Sequence, residues 1–164
     1  MERLREARLT GGGPETRVGR VCALLNAHGA RYVLVGASAM QLWGTTRATR
    51  DVDILIEPTE ENARRVLEAL SHLPFAIADE WLAKEIVRRP VTIIGDMPQV
   101  DILTVAWSVH YRDAAPAATV FEVEGVAIPT ASIDHLIQSK RTGRLQDAAD
   151  IQVLEEIKRL RGLG

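Results

Sequence analysis

The sequence predicts one domain of the α/β (α+β) class, a small mixed sheet flanked by helices. Three observations carry that reading. Short apolar runs of strand length, Tyr32 to Val35 and Asp51 to Ile56, alternate with stretches of helical periodicity. Further along, two pairs of strand-like runs are separated by turn-forming residues, Gly95-Asp96-Met97-Pro98 and Glu124-Gly125. Finally, 164 residues with 46% hydrophobic and 26% charged side chains suit a single core of ordinary globular composition.

Taken in order, residues 1–13 mix Arg3, Arg5 and Arg8 with Glu2 and Glu6 and end in Gly11-Gly12-Gly13. They are expected to form a flexible tail, leaving 14–164 as the domain, because consecutive glycines resist fixed structure. Val18, Val21, Cys22 and Leu25 recur at helical spacing and predict a helix over 15–28, closed by Gly29. Tyr32-Val33-Leu34-Val35 is a buried strand, broken by Gly36-Ala37-Ser38. A short helix is expected from Ala39 to Trp43, ended by Gly44, and a polar loop leads to the strand at 51–56. Thr59 caps the next helix, with Glu60 and Glu61 in its first turn and Val66, Leu67 and Leu70 along one side. Residues 81–87 read as helical. Hairpins follow at 91–94 with 99–104 and at 120–123 with 126–128, joined by a connection at 107–118 that bears several alanines and one proline. Two helices close the chain. One runs from about Thr130 to Gly143, and the other carries Ile151, Leu154, Ile157 and Leu160.

Composition excludes several roles. A net charge of -2 rules out polyanion binding by bulk charge, so any grip on phosphate must come from local basic residues. One cysteine, Cys22, allows no internal disulfide and sits in an apolar helical pattern, where it reads as core. With no signal-like segment and no long apolar run, the expectation is a cytoplasmic protein with no membrane partner. The four histidines show no metal-ligand spacing, which argues against zinc. Trp43, Trp81 and Trp107 are scattered, and each reads as core or rim packing.

Asp51-Val52-Asp53 is the first chemically informative feature. Aspartate is disfavoured in strands, yet these two head an apolar one. A period of two places both on one face, about 6.5–7 Å apart. Such charges repel unless neutralised, and a hard divalent cation with oxygen ligands would do so. Asp101, flanked by Val100 and Ile102, is a third acid in a predicted strand. If its strand lies beside the first, the three carboxylates form a metal site and supply a base for an acceptor hydroxyl. The plain alternative is a solvated polar sheet face.

The turn Gly36-Ala37-Ser38 joins a strand to a helix. Glycine permits close approach of a ligand, amides at a helix start attract phosphate, and Ser38 adds a hydroxyl. Gly-Ala-Ser, twelve residues, then Asp-Val-Asp, with a later acid at Asp101, resembles the signature of the DNA polymerase β-type nucleotidyltransferases. The stretch VLVGASAMQLWGTTRATRDVDILI resembles small bacterial proteins of the AbiEii-like toxin group and its relatives. Their helical region of the form K-x-x-x-R-x-x-D also resembles Lys140 to Asp147, which Asp150-Ile151 follow. The resemblance spans roughly 20–157. One departure is Ala37, where many members carry glycine or serine.

This resemblance implies a nucleotidyltransferase-like domain that uses magnesium, with manganese as the alternative. It would move a nucleoside monophosphate from a nucleoside triphosphate to a hydroxyl, releasing pyrophosphate. The acceptor would be RNA, a protein or a small molecule, and a toxin–antitoxin pair would supply an antitoxin partner. Asp51, Asp53 and Asp101 are the expected catalytic residues and metal ligands. Gly36, Ala37 and Ser38 are expected to cradle the triphosphate. Arg47 and Arg50, beside the acidic strand, either bind phosphate or balance local charge. Lys140 and Arg144 either bind the triphosphate or pair with Asp147 and Asp150. Two rival functions remain: an inactive binding module of the same fold, and a metal-dependent phosphohydrolase.

Overall fold

In the computed structural model, which describes residues 13–164, helix α1 (Arg17–Ala27) starts where Thr16 turns back on the chain. Its hydroxyl accepts a hydrogen bond from the Gly19 amide at 3.0 Å, a side-chain cap on an otherwise unpartnered donor. The reading of 1–13 as a tail falls, but for Gly13, outside the described residues. Val21, Cys22 and Leu25 form the buried stripe of α1, as their spacing predicts. Strand β1 (Tyr32–Val35) is buried throughout.

Helix α2 (Gly36–Trp43) follows with no intervening loop and so begins three residues before the expected start at Ala39. The reason is Gly36, whose φ of 67° lets the chain leave the strand and enter the helix within one residue. Strand β2 (Val52–Ile56) and helix α3 (Glu60–Leu70) come next, the latter capped by Thr59 as expected. The helix expected over 81–87 is present as the shorter α4 (Ala83–Ile86), and an unexpected 3-10 turn at Ile77–Glu80 precedes it. Strands β3 (Val91–Ile94) and β4 (Val100–Leu103) form the first hairpin. After the one-turn helix α5 (Tyr111–Ala114), β5 (Thr119–Val123) and β6 (Val126–Thr130) form the second. Helix α6 (Ile133–Ser139) is shorter than the expected 130–143. Thr130 stays in β6 opposite Leu34, and Ser132 caps the helix by accepting from the His135 amide at 3.1 Å. Helix α7 (Leu145–Leu160) ends the fold.

The six strands form one mixed sheet in the order β3-β4-β2-β1-β6-β5. This matches the α/β expectation of a small mixed sheet flanked by helices. β2 runs parallel to β4 and antiparallel to β1, so the central strands come from distant parts of the chain. Leu34, Ile54 and Ile102 lie in register across one face and are fully buried. Burying each such side chain contributes about 1.5–3 kcal/mol. Helices α1 and α3 pack on each other, α1 also meets β2 and β6, and α6 meets α2 and α7. At the β3 edge only one face is covered: Thr92 and Ile94 are buried, Val91 and Ile93 exposed.

Asp96 pins the loop after α3 to the first hairpin. Its buried carboxylate accepts from the amides of Phe75, Ile77 and Met97 at 3.0, 3.1 and 2.7 Å. Burial alone would raise its pKa, but these three donors together hold the carboxyl below its ordinary range. Among the described residues, no helix is long and apolar enough to cross a membrane.

Candidate active site

Strand register builds the site. Val35 faces Asp53 across β1–β2, Asp53 faces Asp101 across β2–β4, and Asp101 faces Ile93 across β4–β3. Directly registered residues share a sheet face, so the two carboxyls are neighbours on the same side. Gln99, two residues before Asp101 and hence on that side too, donates from Nε2 to Asp101 Oδ1 at 2.9 Å. Gly36 closes the site from above. A Cβ built there would lie 2.1 Å from Asp53 Oδ2, so only glycine lets the start of α2 rest against this carboxylate.

A cleft of about 280 Å³ opens over the pair. Gly36, Asp53 and Asp101 contribute one side, and Lys140, Thr142 and Arg144 from the α6–α7 turn, with Asp147 from the first turn of α7, contribute another. Lys140 Nζ lies 3.0 Å from Asp150 Oδ2 and 3.5 Å from Asp147 Oδ1. Arg144 Nε donates to Asp147 Oδ2 at 2.7 Å, and the Thr142 hydroxyl donates to the same oxygen. Burial pushes the Asp147 pKa up, but the hydroxyl and the two cations outweigh it and hold the carboxyl low. Asp147 and Asp150 are nearly inaccessible, so they act as buried anchors that orient the cations above them.

Asp53 is set the other way. Burial, then the charge and hydrogen bond of Asp101, then the charge of Asp51 raise its pKa to about 7, against a smaller opposing pull from Lys140. Asp53 thus keeps a proton that a lone surface aspartate would have lost.

The remaining expected residues lie around this cleft rather than in it. Asp51 borders a neighbouring cavity of about 620 Å³ with Ser38, Gln41 and Thr49. Ser38 is buried, and its hydroxyl donates to the Asp51 carbonyl at 3.0 Å, where a free phosphate donor was expected. Thr49 donates to the same carbonyl at 3.2 Å. Ala37 sits half-buried in the first turn of α2. Arg47 pairs with Asp150 rather than standing free for phosphate, because that buried carboxylate needs a partner. Arg50 is exposed and lines neither cavity. Gln99 and Thr142 were not anticipated. A period of two read backwards from Asp101 would have found Gln99, whereas Thr142 depends on the turn after α6.

No family model matches the chain, and no curated protein is significantly similar to it.

Among the described residues, no three histidine, cysteine, aspartate or glutamate side chains are gathered as a metal site. The expected convergence of Asp51, Asp53 and Asp101 therefore reduces to a closely registered pair, Asp53 and Asp101, with Asp51 near enough for its charge to act on Asp53. In donor chemistry the pair fits magnesium or manganese. The donors on offer are two closely spaced carboxyl groups, and such ions take few protein carboxylates and fill the rest of their shell with water and phosphate oxygens.

Proposed function

We propose that the chain is a nucleotidyltransferase, moving a nucleoside monophosphate from a nucleoside triphosphate to a hydroxyl acceptor. One observation carries the reading: a registered carboxyl pair, pressed beneath a glycine turn at a helix start, faces a cationic turn across one small cleft. The resemblance of Gly36 to Asp53 and of Lys140 to Asp147 to the polymerase β-type signature supports it.

Asp53 and Asp101, with Asp51 beside them, would hold a divalent cation, which when bound neutralises the triphosphate and polarises its α-phosphorus. Amides at the start of α2 face incoming phosphate, helped by the positive end of the helix. Lys140 and Arg144, oriented by Asp147 and Asp150, meet the negative charge that grows on the departing pyrophosphate. Asp101, held by Gln99, takes the proton of the attacking hydroxyl. The acceptor oxygen forms a bond to the α-phosphorus as the bond to the bridging oxygen of the leaving pyrophosphate breaks.

The test is transfer from each of four α-labelled nucleoside triphosphates to total RNA and to cell protein, with magnesium and with manganese. Label should enter one acceptor class with release of pyrophosphate, and Asp53→Asn should abolish it. Release of inorganic phosphate instead would mark a phosphohydrolase. Nucleotide binding without transfer would mark a binding module.

A further inference from the structure

Among the described residues, Trp107 is the one large aromatic side chain at the mouth of the acidic cleft. It is 61% exposed, and its backbone sits at φ 60°, a left-handed conformation that bulky side chains rarely adopt. The tight turn that carries it is closed by two mutual hydrogen bonds, Ala106 N to Val109 O at 2.9 Å and Val109 N to Ala106 O at 3.0 Å. Both end residues are buried. Ser108, next to the tip, accepts from Gln138 Nε2 of α6 at 3.1 Å. A turn of this kind is most comfortable with glycine, asparagine or aspartate at its tip. Trp107 therefore carries backbone strain and exposes an apolar ring, and neither serves folding. Strain that the surroundings hold in place is a feature of ligand sites.

Its neighbours say what it faces. Val91 and Leu103 continue the apolar rim inside the same cleft, while Asp53, Asp101, Lys140 and Arg144 form the polar part. A ligand that fits must be charged at one end and flat and apolar at the other. We propose that Trp107 is a stacking platform for a nucleobase, the base-binding element of the site described above; the inference rests on the nucleotidyltransferase reading. An aromatic face accepts any base, and a turn locked by its own hydrogen bonds presents that face without an ordering cost. The base belongs either to the donor triphosphate or to the terminal nucleotide of an RNA acceptor.

Binding is measured on the full chain with magnesium, using three probes: inorganic tripolyphosphate, a non-hydrolysable α,β-methylene nucleoside triphosphate and a short single-stranded oligoribonucleotide. Trp107→Ala should weaken one base-bearing probe about tenfold and change tripolyphosphate by less than about twofold. Loss confined to the triphosphate analogue places the donor base on the ring, and loss confined to the oligonucleotide places the acceptor base there. On binding, the wild-type chain should show quenching of its tryptophan emission; Trp107→Phe should keep most of the affinity but lose that quenching. Trp107→Asn, which suits the backbone, should bind like the alanine variant and melt no lower than wild type, so lost affinity is not lost folding. Unchanged affinity of Trp107→Ala for both base-bearing probes overturns the stacking platform, as does equal weakening of all three. A wild-type chain that binds none of them overturns the nucleotidyltransferase reading along with it.

Discussion

At the scale of single residues, Asp53 is where stability and chemistry pull apart. Its folded pKa of about 7 lies above that of a free aspartate, so between about pH 4 and 7 the folded chain binds a proton that the unfolded chain has released. Its contribution is complete below about pH 4 and is lost as pH rises through about 7. Without metal, the protein should therefore lose on the order of 2–4 kcal/mol across that window. Asp53→Asn should flatten this slope and stabilise the metal-free protein at pH 8, which urea denaturation of both proteins from pH 4 to 9 will measure. Parallel curves for the two would show that Asp53 ionises as an ordinary carboxylate. The same carboxyl should lose its proton when magnesium and nucleotide bind. Asp51→Ala tests the third acid. Removing one repelling charge should leave metal-free stability within about 0.5 kcal/mol of wild type or slightly above it. Transfer activity should fall by at least about a hundredfold if Asp51 holds the metal. Retained transfer would remove it from the site.

At the scale of elements, the join between β1 and α2 matters most. Gly36 has to be glycine twice over, once for its φ of 67° and once because any Cβ would meet the Asp53 carboxylate. Gly36→Ala should cost about 3 kcal/mol or more, combining a left-handed backbone penalty with steric displacement of Asp53. It should also remove the magnesium- and triphosphate-dependent rise in melting temperature. Thermal unfolding with and without magnesium and tripolyphosphate checks both; a variant that keeps wild-type stability and the full ligand shift would refute the close approach. Asp96 is the matching structural device between α3 and the first hairpin. Asp96→Ala would orphan the amides of Phe75, Ile77 and Met97, so a loss of about 2–4 kcal/mol is expected, with ligand binding unchanged.

For the molecule as a whole, the site depends on bringing the α6–α7 turn over the carboxyl pair. The ion network does this. Lys140 reaches Asp147 and Asp150 on α7, and Asp150 in turn reaches Arg47 in the loop before β2. Removing one partner strands buried charge, so Lys140→Met should destabilise the fold by about 2–4 kcal/mol. It should also push the Asp53 pKa further up, because Lys140 is the cation that opposes the rise. A double-mutant cycle of Lys140→Met with Asp150→Asn should show a coupling of about 1 kcal/mol or more; additive effects would mean the two side chains do not act as a unit.

Much of this architecture was readable before any fold was known, because the signals are local. A period of two set Asp53 on the polar side of its strand, whereas Asp51 lies just before β2 and borders a neighbouring cavity. Gly95 to Pro98 and Glu124-Gly125 marked hairpins that both formed. Thr59 announced its helix. The helix starts at 36 and 133 were misplaced, since a strand-to-helix transition without a loop depends on one glycine's conformation, and Thr130 was claimed by pairing with a distant strand. The tertiary structure alone decided which strand lies beside which. Asp101 neighbours Asp53 because β4 pairs in parallel with β2 across 47 residues of chain, whereas local propensity is silent on non-local pairing. Only folding could show that the Ser38 hydroxyl is committed to the Asp51 carbonyl, that Asp150 claims Arg47, and that Trp107 stands exposed at the cleft mouth. Each is the outcome of competition between buried polar groups for partners, and that competition is settled by packing rather than by neighbours in sequence.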